Sequence, residues 1–458
     1  MTWFVELLCL LWFTVPPANA DQASPAQASA KQVVNIDRLL EDLRSKDDRV
    51  RTAAATALKE IDSAELKLTS AQGLAVLKLA AEPSRFSTPD PAEVAADLIG
   101  LLSDNPRPEY VPVVERLFGQ LSSAARPAAL SLVSQVETEE AAKAYMRIMH
   151  GHAKAGRITD ASADPIADKP RFAEIFFPEL LTYAKDPNLS FDLYHVCLAY
   201  CEANLLKPEV LAPFTDQVLI SYRADARELT PPQQAQGTAW MWEETYLAHR
   251  NEAALLLDLL GYFPAGKVEE ELRRSLRHRD PRIQYFAISA LLRLGKAVPA
   301  GYFEDVAASA EMRNWLYDRL REAGKESLFP KKYRTQAAFA ESNLADWLTD
   351  PDELGQVPDE IELMKVIPMD LGPTDGVGDY YVFRFRVAEP HPKAKDGWLA
   401  GVAGPFAKKD VPTTQALGHT FSAFEKWSSK SPDAHLRQIR SEIEEYWKDE
   451  TKKTTKGR

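Results

Sequence analysis

Apolar residues return along this chain with helical spacing, and at two distant places they return in the same register. Counted from Asp280 they fall at +3, +7, +10, +11 and +14, on Ile283, Ala287, Ala290, Leu291 and Leu294. Counted from Asp47, the same offsets give Val50, Ala54, Ala57, Leu58 and Ile61. A stripe of this kind lies on one side of a helix and predicts burial of that side against neighbours. Each aspartate stands just ahead of its stripe, where a carboxylate can cap the first turn and meet the positive end of the helix dipole. Ala54 and Ala57 are small enough for a neighbouring helix axis to approach closely, while Leu58 and Ile61 fill the layer between helix pairs. Looser copies start at Ser122, giving Ala125, Ala129, Leu132, Val133 and Val136, and at Asp186, giving Leu189, Leu193, Val196, Cys197 and Tyr200. Arg126 stands in the third register as Arg51 stands in the first, and Pro187 and Pro281 suit a first helical turn that has no N–H partner to lose.

An aspartate, proline and arginine at the turn between helices, with alanine and leucine behind them, resembles the HEAT repeat. The repeat-defining positions here are Asp47, Arg51, Asp186, Pro187, Asp280 and Pro281. The resemblance implies a mainly α fold, a HEAT-like α-α superhelix or solenoid over residues 34–328, in which each helix pair buries the flank it cannot shelter alone. Such stacks usually make binding surfaces. The implied function is a non-catalytic scaffold or adaptor whose concave face engages another protein, with no cofactor. Two segments interrupt the pattern. Residues 151–169 are polar and predict a long surface loop, and residues 224–237 carry Pro231-Pro232 ahead of Trp240-Met241-Trp242. These insertions either contribute to recognition or act as spacers, with Trp240 or Trp242 capping an apolar layer; the spacer is the plainer reading.

Past Lys331 the texture changes. Residues 337–348 are helical by spacing, 361–367 read as a strand and 372–378 as a turn. The clearest strand is 380–387, with Tyr381, Phe383, Phe385 and Val387 on one side and Val382, Arg384 and Arg386 on the other. Residues 398–402 read as a returning strand, and helical spacing resumes at 421–427 and 435–447. The region 329–450 is therefore expected to be a small α+β module that can cover the end of the last repeat, followed by a basic, disordered tail at 451–458. The combination is similar to exported bacterial HEAT-repeat proteins with a C-terminal extension. Within it, Arg384, Arg386, His391, Lys393, Lys395 and Trp398 gather cations and an aromatic near one end of a hairpin, a surface able to hold an acidic peptide, a carboxylate or a sugar acid. The alternative is cross-strand pairing, for example with Glu362, together with ordinary turn solvation.

The formal net charge of −12 excludes a general nucleic-acid binder, since phosphate neutralisation needs a concentrated basic surface. The one local cluster, Arg273, Arg274, Arg277, His278 and Arg279, reads as a solvated helix face. An apolar run at 7–15 followed by Pro16-Pro17 and Ala18-Asn19-Ala20 has the form of a secretory signal, although Glu6 replaces the usual basic residues before it. The expectation is a signal peptide at 1–20, a flexible tether at 21–33, and export to the periplasm or the extracellular space; an uncleaved membrane anchor is the alternative. No later stretch approaches the ~18 apolar residues of a membrane span. Cys197 and Cys201 are poorly spaced for a disulfide, and Cys197 takes the register position of Leu58 and Leu291, so it reads as core.

Catalytic signatures are missing: no Gly-x-Ser-x-Gly elbow, no His-Glu-x-x-His helix and no phosphate loop. Gly397, Gly401 and Gly404 are loosely spaced and read as turn and close strand packing. His150 and His152 flank Gly151 with no carboxylate or thiol at ligand spacing, so charge at a helix end is expected in place of a metal. No residue is assigned a catalytic, cofactor or metal role. The enzymatic alternatives are a HEAT-type bilin lyase, against which the signal-like start argues because those enzymes are cytoplasmic, and a C-terminal hydrolase or transferase using His391 or His419. Neither histidine has an evident nucleophile or orienting acid nearby.

Overall fold

Asp47 accepts a hydrogen bond from the Arg49 N–H at 2.8 Å and so opens one helix a few residues after the last one ends. The computed structural model describes residues 35–82, 90–230, 237–370, 376–388, 397–408, 411–417 and 420–427, with Arg437 and Ser441. The signal, tether and tail expectations fall outside these residues. The chain divides into two compact units, Met1–Val210 and Leu211–Arg458, and the passage from helices to sheet falls inside the second.

The first unit contains α1 (Ile36–Asp42), α2 (Asp48–Lys59), α3 (Ser70–Ala80), α4 (Pro91–Gly100), α5 (Val111–Leu117), α6 (Ala125–Ser134), α7 (Glu139–His152) and α8 (Pro187–Glu202). Their packing has a rule. The pairs α1/α2, α3/α4 and α5/α6 touch as hairpins, α1, α3, α5 and α7 follow one another in a row, and so do α2, α4 and α6. The apolar stripes supply the contacts: all five register residues of α6 and all five of α8 are buried. In α2 the buried arc is Arg51, Ala54, Ala55 and Leu58, which turns Ala57 outward beside Ala53, contrary to the close helix approach expected of it. The Arg51 guanidinium is directed to the Ser45 carbonyl and to Asp48.

The segment 151–169 is not the solvated loop its polarity predicts. Ile158, Ala161, Ala163, Ile166 and Ala167 are buried, and a short helix, Asp164–Asp168, packs on α6 and α8. Small residues at alternate places let this irregular chain press against the helices, a pattern with no helical or strand period to reveal it.

The second unit holds α9 (Thr215–Glu228), α10 (Glu244–Leu260), α11 (Lys267–Ser275), α12 (Pro281–Arg293), α13 (Ala300–Ala308), α14 (Arg313–Glu322) and α15 (Gln336–Leu348). Here α9 meets α10 and α11, while α12 meets α10, α11 and α13. Helix α9 runs on into the segment expected to be a loop. Trp240 is buried with its ring edge-on to Tyr246 at 4.8 Å.

Four antiparallel strands follow in sequence order: β1 (Glu360–Asp370), β2 (Val377–Arg386), β3 (Leu399–Ala407) and β4 (Phe421–Lys426). Helix α15 covers one face, where Ala340, Leu344 and Leu348 share a core with Tyr381, Phe383, Phe385, Leu399, Ala403 and Phe406. Two features depart from expectation. Strand β3 does not stop near Val402 but continues through Gly404. That residue has φ +125° and a missing Cβ that would lie 2.9 Å from the Asp379 carbonyl oxygen, beside the register shift between Asp379 and Tyr381. Residues 421–426, expected to be helical from the spacing of Phe421, Phe424 and Trp427, form β4 instead. The edge of β3 offers unpaired backbone groups, and Phe421, Ser422 and Ala423 pair there with Val402, Gly401 and Ala400. The helix expected at 435–447 lies outside the described residues, apart from Arg437 and Ser441, which are helical. Among the described residues no helix is long and apolar enough to cross a membrane.

Candidate binding surfaces

Strand alternation sends Arg384 and Arg386 to the face of β2 opposite α15. On that face they meet their register partners on β1. The Arg384 Nε donates to Glu362 Oε2 at 2.8 Å, and Arg386 pairs with Glu360. Both guanidinium groups also lie over the Trp398 ring, 4.3 and 4.8 Å from its centroid. Three of the six residues proposed as a ligand surface are thus brought together, and His391, Lys393 and Lys395 lie outside the described residues. The two cations are already answered by two carboxylates. This is the cross-strand arrangement, and an incoming anion would have to displace Glu360 or Glu362.

The repeat-defining aspartates behave differently from one another. Asp186 caps α8 in the ordinary way, accepting from the Asn188 N–H at 3.1 Å with Pro187 in the first turn. Asp280 caps α12 through the Arg282 N–H at 2.9 Å, but it is also fully buried at the centre of a charge cluster. Arg250 of α10, itself wholly buried, donates to both Asp280 oxygens at 2.7 and 2.9 Å and to Glu311 at 2.8 Å. Arg282 reaches the other Glu311 oxygen at 3.0 Å and Asn251 at 2.8 Å, and Tyr246 donates to Asp280 at 3.2 Å. Burial opposes the charge on Asp280, yet Arg250 and the Arg282 N–H together hold its carboxyl below the usual range. The Asp280 N–H donates to His278 Nδ1 at 3.0 Å, and burial keeps that imidazole below its ordinary pKa, so its Nε2–H faces the Leu229 carbonyl at 3.2 Å. Nearby, burial and then Glu311 push Asp346 up to about 6. Two arginines thus face two acids in a buried staple, with the Arg250 Nη1 left without a hydrogen bond. Sequence reading marked only Asp280 and Pro281; Arg250 and Glu311 carry no local signal.

His150 and His152 part company at the end of α7. The Nδ1 of His150 lies 3.3 Å from Glu179, whereas the His152 ring packs on Phe118 with centroids 5.0 Å apart. They do not converge on a metal, and among the described residues no group of histidine, cysteine and acids is poised to hold one. Cys197 and Cys201 are buried free thiols, and burial raises Cys197 well above its ordinary value, which suppresses thiolate chemistry.

The first unit also has a narrow cleft of about 30 Å³ between α6, α7 and the folded insertion. Its walls include Val136, Ala142, Ile166 and Phe172, and its floor is aromatic: Phe176 stands edge-on to Tyr145 at 5.9 Å and to Tyr200 at 6.2 Å. Tyr145 donates to the Ala161 carbonyl at 2.8 Å, and the Tyr200 hydroxyl accepts from the Arg171 N–H at 3.0 Å, which fixes the insertion to the floor. At the rim Glu137 holds Lys169 at 2.6 Å and Arg171 at 2.8 Å. Phe172 adopts φ +55°, a left-handed conformation that costs a bulky side chain about 1–3 kcal/mol and persists only under such constraint. Comparison with known proteins finds no matching family model, no similar curated protein and no similar solved structure. Function therefore rests on geometry.

Proposed function

We propose that this chain is an exported, non-catalytic scaffold that binds another protein through a HEAT-type α-solenoid. The observation that carries the reading is the two-row packing of α1 to α7, in which each helix meets its hairpin partner and the equivalent helix of the next pair. Stacking of that kind buries a continuous core while leaving long outer faces open for a partner. Helix α2 presents Arg49, Thr52, Ala53 and Thr56 to solvent, and α4 adds Glu93, so the outer face of this row is small and polar, without the bulk of a core surface. A shallow hollow lies at Asp48, Arg49, Thr52 and Ala53. The apolar run at 7–15 and the Ala18-Asn19-Ala20 sequence support export.

The test uses the full-length chain as bait in an extract of its native compartment, followed by reconstitution with each purified retained protein. A one-to-one complex measured by calorimetry is expected. Thr52→Trp, which fills the hollow on the exposed face of α2, should weaken it at least tenfold, about 1.4 kcal/mol. The reading fails if no retained protein reconstitutes, or if the chain chemically transforms the protein it retains. Sequencing of the exported chain should begin at Asp21 if the signal is cleaved as read.

A further inference from the structure

We propose that Arg126, Arg157 and His152 form an oxyanion-binding site in the first unit. Arg126 lies in the first turn of α6, His152 ends α7, and Arg157 follows the turn that Gly156 closes with φ +63°. The Arg126 Nη1 donates to the Arg157 carbonyl at 3.4 Å, which ties the start of α6 to this turn. His152 and Arg157 lie beside Gly119, where a Cβ would stand 3.5 Å from His152 Cε1 and 3.9 Å from Arg157 Nη1, so the glycine adds no bulk in front of either.

What distinguishes this cluster is its missing counter-charge. The other arginines inside this fold are answered by acids: Arg250 by Asp280 and Glu311, Arg282 by Glu311, Arg293 by Asp258 and Arg313 by Glu341. Among the described residues, neither Arg126 nor Arg157 has a carboxylate within ion-pair distance. The Arg126 Nε and the His152 Nδ1 are both shielded from solvent and make no hydrogen bond. Burial, then Arg157, then Arg126 all act to lower the His152 pKa, and no acid acts to raise it. Both guanidinium groups act on the His152 imidazole, so like charges gather here with no acid to offset them. An anion seated between them supplies the missing counter-charge. The planar donor fork of arginine selects a carboxylate or a phosphate, which offers two oxygens at matching spacing. The oxyanion can arrive free or be presented by the side chain of a partner, and the site does not depend on the scaffold reading.

Calorimetry on the full-length chain at low salt with inorganic phosphate, and separately with a short peptide of alternating glutamate and glycine, tests this. At least one of the two is expected to bind, with affinity reduced at least tenfold by Arg157→Gln and by Arg126→Gln and unchanged by Arg44→Gln, an exposed arginine elsewhere in the unit. Binding of phosphate alone assigns the site to a free anion, and binding of the peptide alone assigns it to a partner's acidic side chain. The proposal is overturned if neither ligand binds, or if Arg157→Gln binds as the wild type does. Arg157 is exposed, so its replacement decides the matter even where Arg126→Gln fails to fold.

Discussion

Arg250 is the residue on which the second unit most depends. It is wholly buried, and its charge is tolerated only because Asp280 and Glu311 accept three of its hydrogen bonds. Truncation would strand Asp280 out of reach of water and leave Glu311 with Arg282 alone, a change that typically costs about 3–5 kcal/mol. Arg250→Met should therefore destabilise the second unit by about that amount in urea unfolding. Adding Asp280→Asn to the same chain should recover part of the loss, because that stranded charge goes with the arginine while Glu311 still answers Arg282. A single substitution costing under about 1 kcal/mol would refute the staple. This centre was half legible: a capping aspartate before an apolar stripe is a local pattern, and Asp280 was read from it. Arg250 stands 30 residues away on α10 and Glu311 lies in the turn before α14, and nothing in the periodicity of that helix or in that turn distinguishes either from a surface charge.

Elements with a strong period were read well, and those shaped by neighbours were not. The stripes of α6, α8 and α12 and the alternation of β2 are properties of single segments, so the sequence carries them. The strand character of 421–426 is a property of the edge of β3, and the burial of 151–169 belongs to the helices it lies against. The cleft is lined from several such segments, and the oxyanion cluster joins a helix start, a helix end and a turn, so neither has a contiguous signature. Gly404 shows the same dependence on a smaller scale. Its φ of +125° and the closeness of the Asp379 carbonyl accompany a bulge in β3 itself, where Gly404 and Pro405 stand opposite the single residue Tyr380 of β2. Gly404→Ala should cost the second unit about 2–3 kcal/mol, from the strained backbone conformation and the forced shift of a strand. Gly401→Ala meets the Leu344 methyl groups at 2.8 and 2.9 Å, the far end of a flexible side chain, and the Phe385 ring at 3.2 Å, with no backbone atom among them, and should cost less. Equal losses in thermal unfolding would mean that the bulge imposes no backbone constraint at Gly404.

At the scale of the whole molecule, burial raises several acids, and in each unit one of them is pushed as far as about 6. In the first, burial and then Asp160 push Asp192 up to about 6, although it accepts the Ala161 N–H at 3.2 Å. In the second, burial and then Glu311 push Asp346 to about 6. Both values exceed the 3.8 of a free aspartate, so between pH 3.8 and about 6 the folded chain binds more protons than the unfolded chain. Stability attributable to these groups is therefore full below that window and falls as pH rises through it. Asp280 has the opposite sign: its lowered pKa stabilises above the free value and that contribution fades only in stronger acid. Asp192→Asn and Asp346→Asn keep the shape of each side chain and remove the titration. At neutral pH each should raise the stability of its own unit by about 1–2 kcal/mol, a figure reduced from the full shift because both side chains retain some solvent contact. At pH 4 the variants and the wild type should unfold together. Urea titrations across this range, with the two unfolding transitions followed separately, check the sign directly. An Asp346→Asn chain less stable than the wild type at neutral pH would show that Arg282 outweighs burial there, and that the carboxylate belongs to the staple as a third acid.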